Sequence, residues 1–208
     1  LEPVGGEPPC PRSFHCAAAI DDTLYIFGGC GEDGRLADLH AFSLSERIWK
    51  ELEPADLLGR GGATFEAAGN NSLWVAAGFV GHETRDLMRY DLQSATWNRV
   101  NDTSWLRPRS VAASMSLSPP SGPTVVIFGG EVEPSSQGHE GAGGFANDTI
   151  AIDGVSGTPL ELTVEGASPE ARGWAAATAL SPTEGVLFGG LTGSDAEPRR
   201  LDDAWLLR

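Results

Sequence analysis

The sequence predicts an all-β fold assembled from repeats, and three observations carry that prediction. A unit of roughly fifty residues recurs four times, a period that belongs to repeat architectures. Within each unit, short apolar runs are broken by turn residues every 8 to 12 residues or so, the spacing of strands. No apolar stripe at 3.6-residue spacing runs through any unit, which removes helices.

An arginine opens each unit, in Pro-Arg12-Ser-Phe, Gly-Arg60-Gly-Gly, Pro-Arg109-Ser-Val and Ala-Arg172-Gly-Trp, at separations of 48, 49 and 63 residues. The third unit is therefore longer by about one loop. A first strand of small and apolar residues follows, at 14–20, 63–68, 111–117 and 174–180. The second strand ends in a glycine pair or its equivalent: Phe27-Gly28-Gly29, Ala76-Ala77-Gly78, Phe128-Gly129-Gly130 and Phe188-Gly189-Gly190. Glycine there supplies backbone conformations that other residues resist and lets a neighbouring chain come close. The third strand opens on an acid and then alternates, as in Ala37-Asp38-Leu39 and Arg85-Asp86-Leu87. A fourth opens with Trp49 or Trp97.

Together these residues resemble the kelch repeat, which implies four-stranded antiparallel blades of a β-propeller. Small side chains in the first strand suit the crowded centre of such a ring, and the tryptophans suit the wider gap between blades. The expected fold is a kelch-type β-propeller over residues 1–208, with four four-stranded blades in repeats at about 10–54, 58–102, 107–164 and 170–208. Leu1-Glu2-Pro3 matches Leu52-Glu53-Pro54, the tail of a fourth strand, whereas Arg208 directly follows a third strand. This mismatch favours a larger, six-bladed ring whose upstream blades are missing over a four-bladed ring with imperfect closure.

The formal charge of −15, with Lys50 the one lysine, opposes nucleic acid as a partner, because neutralising phosphates needs clustered cations. No run approaches the roughly 18 to 20 apolar residues that span a bilayer, so no membrane role is expected. Cys10, Cys16 and Cys30 are odd in number and lack a CxxC spacing, which implies neither a disulfide framework nor a zinc site and suits reduced thiols in the cytoplasm. The sequons at Asn70, Asn101 and Asn147 suit the alternative, a secreted protein.

Gly130-Glu131-Val132 with Pro134, Gly138-His139, Gly141, Gly143 and Arg172-Gly173-Trp174 resembles the carboxy-terminal half of the plant nitrile-specifier and epithiospecifier proteins. That resemblance implies iron(II) and the breakdown of sulfated glucosinolate aglycones. The metal motif it implies, Glu-x-x-x-Asp-x-x-x-His, reads here Glu131-x-x-x-Ser135-x-x-x-His139. Glu131 and His139 keep their places as metal ligands, and Ser135 stands where the family has a carboxylate. Losing one anionic donor weakens a site of this kind for ferrous iron. Glu133 and Glu140 lie nearby as replacements, and the bland alternative is a polar glycine-rich loop.

The resemblance also implies that Arg12, Arg60, Arg109 and Arg172 line one mouth of the channel and seat an anion through their guanidinium forks, with Trp174 as an apolar wall. The alternative pairs them with blade acids such as Asp38, Asp86, Asp148 and Asp202. His15, His40 and His82 stand alone, and no P-loop, nucleophile elbow or zinc-protease motif is present. The expected function is a specifier-like propeller that binds an anionic small molecule or a protein at the arginine-lined mouth, with no cofactor. The alternative is an iron(II)-dependent specifier-type lyase.

Overall fold

The computed structural model describes residues 2–69, 71–137 and 141–208. Four antiparallel sheets stand around a common axis as the blades of a β-propeller. Blade 1 is β1 (Cys16–Ile20), β2 (Thr23–Gly31), β3 (Gly34–Ser43) and β4 (Ile48–Leu52), in that spatial order. Blade 2 repeats it with β5 (Thr64–Ala68), β6 (Ser72–Ala76), β7 (Leu87–Asp91) and β8 (Thr96–Arg99). Blade 3 comprises β9 (Ala113–Leu117), β10 (Thr124–Phe128), β13 (Thr149–Asp153) and β14 (Pro159–Leu160). Between β10 and β13, β11 (Glu131–Glu133) and β12 (Gly144–Phe145) form a separate two-stranded ribbon, which accounts for much of the third unit's extra length.

Blade 4 departs from the expected four strands. It holds three, β15 (Ala176–Ser181), β16 (Glu184–Ser194) and β17 (Glu197–Leu207), because its third strand runs on for 11 residues and only Arg208 follows it. In blades 2 and 3 the turn into the fourth strand is built by the last acid of the third. Asp91 accepts from the Gln93 and Ser94 N–H groups at 3.0 and 2.9 Å, and Asp153 from Val155 and Ser156 at 3.1 and 2.7 Å. Such side-chain-to-backbone bonds close a turn where the chain must reverse.

Strand alternation puts one set of side chains toward the next blade and the other toward the preceding one. Tyr25 and Phe27 pack on Leu73 and Val75, and Trp74 and Ala76 pack on Val125 and Ile127. Val126 and Phe128 meet blade 4, with Leu187 against Phe128. The core is therefore three slabs between blades, which is why the second strands β2, β6 and β10 are apolar on both faces. No helix of the structure is long and apolar enough to cross a membrane.

The glycine pairs sit where blades touch. Gly28, Ala77, Gly129 and Gly189 all have φ between 59° and 64°. Ala77 shows that the left-handed conformation is tolerated there by a side chain, but Gly129 has a second constraint, since a Cβ would lie 2.4 Å from the Arg172 carbonyl oxygen. Gly129→Ala should cost about 2 to 3 kcal/mol in urea unfolding, combining left-handed strain and a backbone clash. Gly5→Ala, whose Cβ would meet only Ile48 at 3.7 Å, should stay close to the parent.

Candidate functional site

Arg60, Arg109 and Arg172 are buried and Arg12 is half-buried, and Arg12, Arg109 and Arg172 make the same set of bonds. Arg109 donates from Nε to the Arg107 carbonyl at 3.2 Å and from Nη1 to the Gly129 carbonyl at 2.7 Å. Its two terminal nitrogens grip Asp148 bidentately at 2.9 and 2.8 Å. Arg172 does likewise with Glu170, Gly189 and Asp203, and Arg12 with Cys10, Gly28 and Asp38. Arg60 bonds Leu58, Ala77 and Thr84, and meets Asp86 at 3.0 Å. The fourth acid is Asp203 rather than its neighbour Asp202, because β17 places Asp203 on the arginine's side and leaves Asp202 exposed.

These pairs shift the acids consistently. The Arg172 hydrogen bonds hold the Asp203 carboxyl well below the usual range, helped by the Trp205 indole N–H. Burial pushes the Asp38 and Asp148 carboxyls up, but their arginines outweigh it and both end below the ordinary value. Burial pulls the Arg60 guanidinium down in spite of Asp86, whereas the Asp38 hydrogen bonds raise Arg12.

The residue two places after each arginine turns toward the axis. Phe14, Gly62, Val111 and Trp174 all adopt left-handed φ, from 48° to 60°. The Gly62 N–H donates to the Phe14 carbonyl, Val111 to Gly62 and Trp174 to Val111, at 3.0, 2.7 and 2.9 Å. A non-glycine residue in this region is uncommon, and a β-branched one such as Val111 is strained. The strain is held by the inter-blade bonds, and it brings the Phe14 and Trp174 rings into an edge contact at 5.8 Å.

These residues wall a cavity of about 190 Å³ at the mouth, completed by Phe79, Arg35, Glu131 and Ser135. The four repeat arginines are not among its lining residues; Trp174 is. The cation that lines it is Arg35, at the start of β3, whose guanidinium lies 4.8 Å from the centre of the Phe79 ring. Among the described residues Arg35 has no acidic partner. Cys30 also lines the cavity, whereas Cys16 is buried at the blade 1–2 contact, its thiol pushed up to about 12 by burial and thus inert.

At the cavity's edge Glu131 accepts from the Ser135 backbone N–H at 3.2 Å. The Ser135 hydroxyl donates to Asp195, in the β16–β17 turn of the next blade. Asp195 also takes the Ser136 N–H and hydroxyl at 3.1 and 2.8 Å, and those serine bonds lower its carboxyl. His139, with Gly138 and Glu140, lies outside the described residues, as does the sequon asparagine Asn70. Among the described residues no three of His, Cys, Asp and Glu converge as a metal would require.

The sequence model of the KLHDC2/KLHL20/DRC7 Kelch-repeats domain matches residues 2–130. The chain belongs to the kelch-repeat family. It is similar to the N-(sulfonatooxy)prop-2-enimidothioate sulfolyase of Thlaspi arvense, a homologue of the nitrile-specifier type, with 29% identity across 91% of this chain and 60% of that protein. Kelch domain-containing protein 2 of Bos taurus is 29% identical over 50% of this kelch chain and 27% of its own length. Acyl-CoA-binding domain-containing protein 5 of Arabidopsis thaliana is 26% identical over 90% and 29%. The kelch chain thus spans 60% of the first of these relatives and under a third of the other two.

Sequence reading named Trp174, Glu131 and Ser135 at this place and missed Phe14, Arg35, Phe79 and Asp195. Phe14 was within reach, since it shares the arginine-plus-two position with Trp174.

Because the Asp38, Asp148 and Asp203 carboxyls titrate lower in the folded chain, their stabilisation is complete above the unfolded carboxylate value near 3.9 and is lost as pH falls through the folded values. Acid titration of stability should therefore show a decline beginning near pH 4 and continuing below it. Asp203→Asn should flatten that decline while lowering stability at pH 7.

Proposed function

We propose that this kelch propeller is a binding module that takes an anionic small molecule with a flat apolar part in the mouth cavity. One observation carries the reading: Phe14, Phe79 and Trp174, from three blades, line one cavity with Arg35, whose guanidinium stacks on Phe79 and makes no ion pair among the described residues. Binding sites of this kind are mostly apolar with a few placed polar groups, and this one follows that pattern on a small scale. The repeat arginines serve as structural clamps in this reading, since a ligand would have to displace a bidentate aspartate from each.

The competing reading, an iron(II)-dependent specifier-type lyase, draws on the sulfolyase similarity across 91% of the chain. The described residues do not by themselves make up an iron site. Glu131 is present, but Ser135 gives its hydroxyl to Asp195, and among the described residues no three ligand-type side chains converge there.

Calorimetric titration with phenyl sulfate and benzoate tests the first reading. Arg35→Ala should weaken phenyl sulfate about tenfold, near 1.4 kcal/mol. Trp174→Ala should weaken both ligands. Unchanged affinity in both variants would remove the mouth cavity as the site. Anaerobic ferrous titration tests the second, and stoichiometric binding lost in Glu131→Ala would favour the lyase.

A further inference from the structure

The position that follows each glycine pair is equivalent in all four units. It pairs with the residue after the repeat arginine, as Ser13 with Cys30, Gly61 with Phe79, Ser110 with Glu131 and Gly173 with Leu191. The repeat thus fixes the backbone of this position, while its side chain differs from blade to blade. In blades 1 to 3 it forms part of the mouth cavity, as a thiol, a ring and a carboxylate.

Arg35 adds a cation beside the first of these, because it is the cross-strand partner of Cys30 in the β2–β3 register. The cavity wall therefore carries a guanidinium on blade 1, an aromatic ring on blade 2 and a carboxylate on blade 3, and these blades follow one another around the axis.

The two charges do not meet. Arg35 lies on the Phe79 ring and makes no ion pair among the described residues. Glu131 is held on its own blade: its backbone bonds Ser110 in both directions, at 2.9 and 2.8 Å, and its Oε1 accepts from the Ser135 N–H at 3.2 Å. Gly143 leaves the carboxylate its space, since a Cβ there would lie 2.6 Å from Oε1. A carboxylate offers about four lone-pair sites, so it can take a ligand donor as well as N–H groups of the loop.

We propose that the mouth cavity selects an elongated zwitterion, with an acid group at one end for Arg35, a flat apolar middle among Phe14, Phe79 and Trp174, and an ammonium group at the far end for Glu131. This rests on the mouth cavity being the binding site, and it narrows the ligand from anions in general to those that also carry a cation at the opposite end. A plain anion pairs with Arg35 but leaves Glu131 facing an apolar surface or a like charge, which disfavours an ionised carboxylate. The formal charge of −15 also repels a net anion at long range, whereas a zwitterion has no net charge to repel. The order of groups matters, because an acid and an amine on the same carbon cannot reach walls that belong to different blades.

Calorimetric titration of the 208-residue chain with benzoate and para-(aminomethyl)benzoate tests this. The second ligand should bind about tenfold more tightly, the gain from one charge-assisted hydrogen bond. In Glu131→Gln that ratio should fall to about one, whereas Arg35→Ala should weaken both ligands. Phenylglycine, with both charges at one end, should bind no more tightly than benzoate. Equal affinity for benzoate and para-(aminomethyl)benzoate in the parent, each dependent on Arg35, overturns the zwitterion and leaves the mouth cavity as an anion site. A ratio that survives Glu131→Gln overturns it as well, as does phenylglycine matching para-(aminomethyl)benzoate. If Glu131→Gln proves unfolded by circular dichroism, the comparison with phenylglycine in the parent decides. Binding of neither benzoate nor its aminomethyl derivative removes the mouth-cavity reading itself, and this inference with it.

Discussion

The fold depends on a charged side chain buried between sheets. Arg60, Arg109 and Arg172 each sit where one blade meets the next, and taking a guanidinium out of water is costly unless its donors are matched. They are matched here by a fixed set: the carbonyl two residues back, the carbonyl of the glycine-pair position, and an aspartate on the third strand or, for Arg60, an aspartate with a threonine hydroxyl. The arginine backbone meanwhile bonds the preceding blade in both directions. One residue therefore ties together the first, second and third strands of its own blade and the edge of its neighbour. Its glycine partners follow from this, because Cβ atoms at Gly28 and Gly129 would press on the next arginine's carbonyl.

The same clamp shapes the mouth. With the arginine fixed, the chain bends within two residues, and Gly62, Val111 and Trp174 send an N–H to the preceding blade from the left-handed φ that Phe14 also adopts. Strain of this kind persists only where surroundings over-determine it. What it achieves is side-chain direction, since these residues are aimed at the axis and become the cavity wall. In blade 2 the position is Gly62, and the missing side chain leaves room that the cavity uses.

The parts of this plan written identically in every unit were legible in the sequence. The arginines, the glycine pairs and the third-strand acids gave strand order and blade count, because a repeat must satisfy the same backbone groups each time. What was not legible depends on how strands and blades are set together. Arg35 lies at the start of β3, a register position that blade 4 also fills with an arginine, Arg200, and the contact with the Phe79 ring comes from how blades 1 and 2 are set beside each other. The choice of Asp203 over Asp202 turned on strand parity in β17, which two adjacent aspartates leave open. Blade 4 agrees with the reading that Arg208 directly follows a third strand: its described strands are β15, β16 and β17.

Repeated positions hold the ring and unrepeated positions choose the chemistry, and this division accounts for how proteins named as a sulfolyase, an acyl-CoA-binding protein and a kelch domain protein can all be 26% to 29% identical to one chain. Ser135 shows the division at a single residue. A carboxylate there would face Glu131 across a short loop and would need a cation between them. The Ser135 hydroxyl donates to Asp195, and the adjoining backbone N–H groups of Ser135 and Ser136 donate to Glu131 and Asp195. These bonds tie the loop of blade 3 to the hairpin of blade 4, and among the described residues they share no donor or acceptor with the arginine clamps.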